Sequence, residues 1–485
     1  MPDRREKNFL KTLRFFLIYG ILNKIHIRGH KMKKRLSLTE TFAVGSMLFG
    51  LFFGAGNLIF PVFMGQNAGA NVWKAIIGFL ITGVGIPLLG VASLGMSRSD
   101  GLLEMSGKIG KTYGKIFTCA LYLSIGPFFA IPRCASTSFS VGIKPLVSDE
   151  TAKWLIWAFS FVFFAAVLGF SLRPGKILTW VGKILTPLFL ISLALLAVTA
   201  LIKPIGDISL IKPGGEYISG PFFKGFLEGY KTMDALASLA FGIVVVNAIK
   251  GLGVKEPSAV AGNTVVSGIF GCVIMALIYA ALAVIGAQSM AILENVSADG
   301  GEALYVIATH YFGSVGGIIL AVTVTLACLK TAVGLITSCG ETFCEMFPKG
   351  PKYKFWAIGF CAVSFFISTV GLSTIIGWSL PVLMLLYPLA MTLILLALFG
   401  KLFSNDRAVY VSVTAFTFVA ALFDFVKSLP LGLPETKVCA AIIKVGGFLP
   451  FAELGLGWVC PAVLGLIIGL IIHFAKKIKK GASAA

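Results

Sequence analysis

The chain has 485 residues, of which 57% are hydrophobic and 13% charged, and its mean hydropathy is +0.93. A soluble domain needs about a quarter of its residues charged to cover its surface, so this composition excludes one and points to an all-α polytopic membrane protein. The net charge of +20 would suit a nucleic-acid partner, but much of it lies in the first 35 residues and the rest in short connections, which fits membrane topology and anionic lipid instead.

Residues 1–35 form a basic extension carrying Arg4, Arg5, Lys7, Lys11 and Arg14 among others. Its apolar stretch Leu13–Leu22 is too short to span and lacks a small-residue cleavage site, so it does not read as a signal peptide. Met32 directly precedes KKRLSLTE, which leaves residues 1–31 as a disordered or misassigned start. Apolar runs of about 20 residues, the length that crosses a bilayer as a helix, then recur. They predict roughly twelve spans in one transmembrane domain, 36–475: 41–62, 73–96, 115–140, 154–172, 182–202, 230–249, 262–287, 316–343, 354–370, 372–399, 408–427 and 454–475. A basic tail, 476–485, follows with Lys476, Lys477, Lys479 and Lys480.

Charge alternates between the connections. The even ones carry Arg98, Lys108 and Lys111; Arg173 and Lys176; Lys250 and Lys255; Lys349, Lys352 and Lys354; Lys401 and Arg407. The odd ones are mixed, with Asp149, Glu150, Asp207, Glu216, Glu294, Asp299 and Glu302. This positive-inside pattern places both termini in the cytoplasm.

The nine cysteines form no CxxC pair and the four histidines have no metal-ligand spacing. No phosphate-binding glycine loop, HExxH or spaced Ser-His-Asp order is present, which argues against a membrane enzyme or an ATP-driven pump. Isolated polar points rather than a continuous polar stripe argue against a channel. No soluble domain suggests a sensor.

Three features point to transport. The first span reads SMLFGLFFGAGNLIFPVFMG, with Gly50, Gly54 and Gly56 crowding its middle, then Asn57 and Pro61. Glycine in a helix costs about 1 kcal/mol against alanine, so Gly54-Ala55-Gly56-Asn57 is a predicted point of unwinding. Inside a bilayer a broken helix survives only where a cavity or protein satisfies the freed backbone. The alternative use of Gly50-x-x-x-Gly54 is close helix packing. The sixth span, YKTMDALASLAFGIVVVN, buries Asp234 beside small residues with Ser238 one turn on. Two interrupted helices five spans apart point to an inverted-repeat transporter; the competing role for Asp234 is a cap near the outer face. Finally, Lys330 is the one charge in GGIILAVTVTLACLKTAVGLITSCGETF before Glu341. A cation near the bilayer centre costs roughly 2.5–3.5 kcal/mol on insertion scales and usually faces a functional interior.

GSMLFGLFFGAGNLIFPVFMGQNAGANVW, GFLITGVGIPLLGV, GYKTMDALASLAFGIVVVNAI, LACLKTAVGLITSCGETF and IIGWSLPVLMLLYPL resemble the bacterial branched-chain amino acid transport system carriers, cation symporters for leucine, isoleucine and valine. The resemblance runs from about Met32 to Lys480. It implies the leucine-transporter-like fold: inverted five-helix repeats (about 41–202 and 230–399) plus two helices (408–427 and 454–475), in the bacterial cytoplasmic membrane. By that resemblance, Gly54, Ala55, Gly56 and Asn57 hold the substrate carboxylate through backbone amides. Met233, Asp234, Ala235 and Ser238 belong to the stretch that receives the ammonium through carbonyls and walls the side chain. Phe52, Phe53 and Phe241 are candidate walls.

The same fold implies a sodium site with carbonyls of Gly50 and Phe53 facing Ala327, Lys330 and Thr331. The family pattern has a threonine pair where this chain has Lys330-Thr331. A lysine ammonium brings one charge and three donors to those oxygens, so it repels sodium and substitutes for it, as a fixed charge in a cation-independent facilitator or exchanger, or as a proton carrier. If instead Lys330 turns away, sodium coupling remains. The expected function is import of branched-chain amino acids, coupled to Na⁺ or H⁺, with no cofactor, no catalytic residue and no tight metal site. A carrier for another apolar amino acid, such as methionine, is the alternative substrate reading. Beyond the amino acid and the bilayer, no nucleic-acid or obligatory protein partner is evident.

Overall fold

The first membrane helix begins where the sequence supplies a cap. In the computed structural model, which describes residues 34–99, 101–172 and 186–482, the Ser37 hydroxyl accepts the Glu40 amide at 3.3 Å and the Glu40 carboxylate accepts the Ser37 amide at 2.8 Å. This capping box satisfies donors that the first helical turn leaves open. Most of the N-terminal extension, the stretch with Arg173 and Lys176, and the start of the fifth span lie outside the described residues.

The regular structure among the described residues is helical. The first element is α1 (Leu38–Phe52) and α2 (Ala55–Ala68), interrupted at Phe53 and Gly54. The second is α3 (Val72–Leu80) and α4 (Ile86–Ser97), joined through a π-helical turn. After the short α5 (Leu102–Gly107), the third element is α6 (Lys111–Leu123) and α7 (Ala130–Gly142), with a π turn containing Pro127 between them. Helices α8 (Asp149–Leu172) and α9 (Thr186–Ile202) are the fourth and fifth. The sixth divides into α10 (Pro221–Glu228) and α11 (Asp234–Gly251). Then come α12 (Pro257–Ser289), α13 (Gly300–Met346), α14 (Tyr353–Ser368), α15 (Leu372–Phe399), α16 (Arg407–Lys427), α17 (Lys437–Gly446) and α18 (Val459–Ala482).

Two boundaries differ from the hydropathy reading. Helix α13 starts well before residue 316, because an arm from Gly300 joins the spanning part at Gly313, whose φ of 62° breaks helical geometry. Helix α18 runs on to Ala482, so the lysines from 476 belong to it. Lysine is a good helix former and its charge suits a helix C-terminus.

The packing shows the repeat. Both halves of the first element pack along α12, α10 and α11 pack along α3 and α4, and α7 packs along α13. First meets seventh, sixth meets second and third meets eighth; exchanging every element with the one five places along leaves these pairs unchanged. Glycines allow the same close approach at both equivalent places. A Cβ at Gly65 or Gly286 would enter the α2–α12 seam, and one at Gly78 or Gly225 the α3–α10 seam.

The connections also sort by parity. At one end Arg407 bonds the Ile109 carbonyl at 2.9 Å, His473 meets Asp406 at 2.9 Å, and Leu36 bonds Asn263 at 2.9 Å. At the other, Asn71 bonds the Tyr217 carbonyl at 2.9 Å and Ser373 the Ala298 carbonyl at 3.1 Å. The two ends of the described chain therefore lie with the even-numbered, basic connections.

Candidate functional site

Asn57 makes the break in the first element. The Gly54 amide, which would continue α1 onto the Gly50 carbonyl, donates instead to Asn57 Oδ1 at 2.9 Å. The Asn57 amide closes on the Gly54 carbonyl at 3.2 Å, and α2 starts afresh at Ala55. Helix geometry then leaves late carbonyls of α1 and the first amides of α2, those of Ala55 and Gly56, without intrahelical partners. The interruption falls at the front edge of the predicted stretch: Phe53 and Gly54 are non-helical, while Ala55, Gly56 and Asn57 form the first turn of α2.

The sixth element breaks differently. Residues Gly229–Thr232 tighten into a 3₁₀ turn, and Met233 takes the left-handed conformation (φ 64°, ψ 12°), unusual for a bulky side chain. Asp234 opens α11 with its amide on the Thr232 hydroxyl at 3.2 Å. The Met233 carbonyl accepts the Ala237 amide at 2.9 Å and the Ala235 carbonyl accepts the Ser238 hydroxyl at 2.7 Å. Within the stretch Met233–Ser238 the carbonyls of Met233 and Ala235 are thus engaged in the first turns of α11. The carbonyls at the break belong to Lys231 and Thr232, and Arg133 of α7 donates to them from Nη1 at 2.7 Å and Nη2 at 3.5 Å.

One polar knot joins the two breaks. Asn57 Nδ2 donates to Asp234 Oδ2 at 2.7 Å, the Tyr279 hydroxyl of α12 donates to the same oxygen at 3.0 Å, and Asn57 also contacts that hydroxyl. All three side chains are at most 2% exposed, so each polar atom needs such a partner.

A cavity lies beside this knot. The first element lines it with Gly50, Phe52 and Gly54–Asn57, the sixth with Thr232, Met233, Asp234, Ala237 and Phe241, the third with Arg133 and Cys134, and the eighth with Lys330, Thr331, Gly334 and Leu335. Of the residues singled out from sequence, Gly50, Gly54, Ala55, Gly56, Asn57, Met233, Asp234, Lys330 and Thr331 thus come together. Four do not line it. Ala235 is fully buried, and Ser238 packs against Gly90 of α4. Phe53 stacks on Phe49 with centroids 5.0 Å apart, and the Ala327 carbonyl receives the Thr331 hydroxyl at 3.1 Å. Lys330 is 9% exposed. The methyl of neighbouring Thr331 faces the break closely enough that a Cβ at Gly54 would meet it at 3.3 Å. No group of three His, Cys, Asp or Glu side chains among the described residues could hold a metal ion.

Arg133 and Tyr279 were missed. The rule that selects Lys330 also selects Arg133, a charge inside the span 115–140; nothing local marks Tyr279, which acts through the α12 packing.

A cavity between two broken membrane helices, with amide ends on one side and a buried carboxyl group on the other, is the arrangement seen in folds of the transporter class. Solved structures of Mhp1 share the fold. Its inward-facing conformation aligns with a TM-score of 0.59 at 15% identity, over 92% of this chain and 96% of that one. The closed, bromovinylhydantoin-bound form, described as a nucleobase-cation-symport-1 family transporter, gives 0.52 at 15% identity over 88% and 90%. The architecture is the leucine-transporter-like fold. The chain belongs to the branched-chain amino acid transport protein family, whose sequence model matches residues 37–476. Among its relatives, the branched-chain amino acid permease BrnQ of Lactobacillus delbrueckii subsp. lactis is 52% identical, covering 89% of this chain and 96% of that protein. BrnQ of Bacillus subtilis is 41% identical over 91% and 98%, and that of Escherichia coli 37% over 91% and 97%.

Proposed function

We propose that this protein carries branched-chain amino acids inward across the cytoplasmic membrane by alternating access, with both termini cytoplasmic, and that Lys330 takes the place of a sodium ion in its cycle. The first-turn amides of α2 suit the substrate carboxylate, the Asp234 carboxylate suits the ammonium, and Phe52 and Phe241 wall an apolar space for the side chain. The basic even-numbered connections lie at the end that holds both described chain ends, which supports the cytoplasmic assignment.

The observation that carries the coupling reading is the position of Lys330. It lines the same cavity as Gly50 and Gly54, beside Thr331, where the end of α1 presents carbonyls. An ammonium there interacts with the oxygens a sodium ion would use and repels the ion itself. Leucine uptake into proteoliposomes tests this. Wild-type uptake is expected to change less than about twofold on imposing a Na⁺ gradient, and Lys330→Thr is expected to gain Na⁺ dependence or lose net uptake by at least about tenfold, the scale of one charge-assisted contact. Acceleration of the wild type by an imposed H⁺ gradient would assign Lys330 as a proton carrier; gradient-independent counterflow would assign exchange. Strong Na⁺ stimulation of the wild type overturns the substitution. An alternative apolar substrate, such as methionine, would show itself by outcompeting leucine.

A further inference from the structure

The third element brings a guanidinium into the cavity to which the transport reading gives no task. Arg133 is 4% exposed and lines the cavity. One edge of its fork holds the Lys231 and Thr232 carbonyls, and its Cζ lies 5.0 Å from the centre of the Phe60 ring. Its Nη2 rests so near Gly56 that a Cβ there would come within 2.8 Å of it. The buried Nε–H has no acceptor among the described residues.

These positions set the free edge of a guanidinium against a helix N-terminus. The guanidinium stands at the first turn of α2, a 14-residue helix, where the amides of Ala55 and Gly56 and the positive end of the helix already favour negative charge. Asp234 accepts from Asn57 and Tyr279 on one oxygen rather than from Arg133. Arginine suits this double duty because its planar fork can tie backbone carbonyls on one side and keep donors for an anion on another. Gly56 lacks the side chain that would separate the guanidinium from the helix end.

We propose that Arg133, with the amides of Ala55 and Gly56, forms the subsite for the substrate carboxylate, and that the pocket selects free amino acids over carboxyl-lacking analogues through it. This rests on reading the cavity as the substrate site. The ligand is then a zwitterion held between Arg133 with the amide end of α2 on one side and Asp234 of the sixth element on the other, which fixes its polarity.

Calorimetric titration of the purified full-length protein in lipid nanodiscs tests the assignment with leucine and with leucinol, which keeps the ammonium and side chain but replaces carboxylate by hydroxymethyl. Wild type is expected to bind leucine about 100-fold more tightly than leucinol. Arg133→Gln is expected to weaken leucine by about 100-fold while changing leucinol less than about threefold, and Arg133→Lys to weaken leucine by about tenfold. Equal weakening of both ligands by Arg133→Gln, or no weakening of leucine, overturns the proposal. Melting temperatures without ligand identify a variant that fails to fold, in which case Arg133→Lys carries the comparison. Failure of the underlying reading looks different: Asp234→Asn would then leave leucine binding intact, or wild type would bind neither ligand.

Discussion

The two interrupted elements solve the same backbone problem in opposite ways. In the first, the break is local: Gly54 gives up its helical hydrogen bond to a side chain three residues on, and the residues around it are small. In the sixth, the break is held from outside. Met233 sits in a left-handed conformation, its preceding carbonyls are tied by Arg133 of the third element, and Asp234 is fixed by Asn57 and Tyr279. One break therefore exposes amides with little side-chain bulk, and the other presents a carboxyl group in a rigid cage. The difference gives the pocket an amide end and a carboxyl end, the pair that the proposed zwitterionic substrate would use.

The largest expected effect comes from removing that carboxyl end. Asp234→Asn keeps the shape and the capacity to accept from Tyr279, but deletes the carboxylate proposed to face the substrate ammonium. Truncating one partner of a buried charge pair costs about 2–5 kcal/mol, so initial leucine uptake should fall at least about 30-fold at equal amounts in the membrane. Uptake within threefold of wild type would remove Asp234 from the substrate site and leave the sixth break a purely architectural device.

Asn57→Ala strikes both breaks at once. It deprives the half-buried Gly54 amide of its acceptor and the buried Asp234 of a donor. Leaving buried polar groups unsatisfied costs about 1–3 kcal/mol, which thermal unfolding in detergent should register as a lowered melting temperature. Uptake should suffer as well, though less than in Asp234→Asn. A variant that melts like wild type would show that the first break stands on its glycines alone.

How far these features could be read from the sequence follows from the same contrast. The first break was legible because glycine, asparagine and proline declare themselves within a single helix turn; only its position was off, since the cap by Asn57 makes Ala55–Asn57 helical. Asp234 and Lys330 were legible as charges in apolar surroundings, and Arg133 was equally legible but went unread. The partners of the sixth break were not. Tyr279 lies 45 residues from Asp234, the contacts of Ser238 with α4 depend on helix rotation, and a left-handed methionine carries no signature in its neighbours. The bend at Gly313 escaped because hydropathy continues across it while backbone geometry does not.

The smallest effects come from adding one methyl group at either side of the first break, and they test how closely its amide end is fitted. At Gly56 a Cβ would meet Arg133 Nη2 at 2.8 Å and Phe60 Cε2 at 3.1 Å. The ring and the guanidinium are both buried and tied to other groups, so neither can retreat freely. At Gly54 the nearest atoms are the Thr331 methyl at 3.3 Å and Asn57 Oδ1 at 3.7 Å. Its φ of −134° is open to alanine, and replacing an N-cap glycine by alanine costs at most roughly 1 kcal/mol. Gly56→Ala should therefore raise the KM for leucine by about tenfold, in line with the 1–3 kcal/mol of overpacking, and Gly54→Ala by no more than about threefold. Measuring the two side by side cancels the shared loss of backbone flexibility. The reverse order would mean that the Thr331 and Lys330 wall, rather than Arg133, sets the tight side of the pocket.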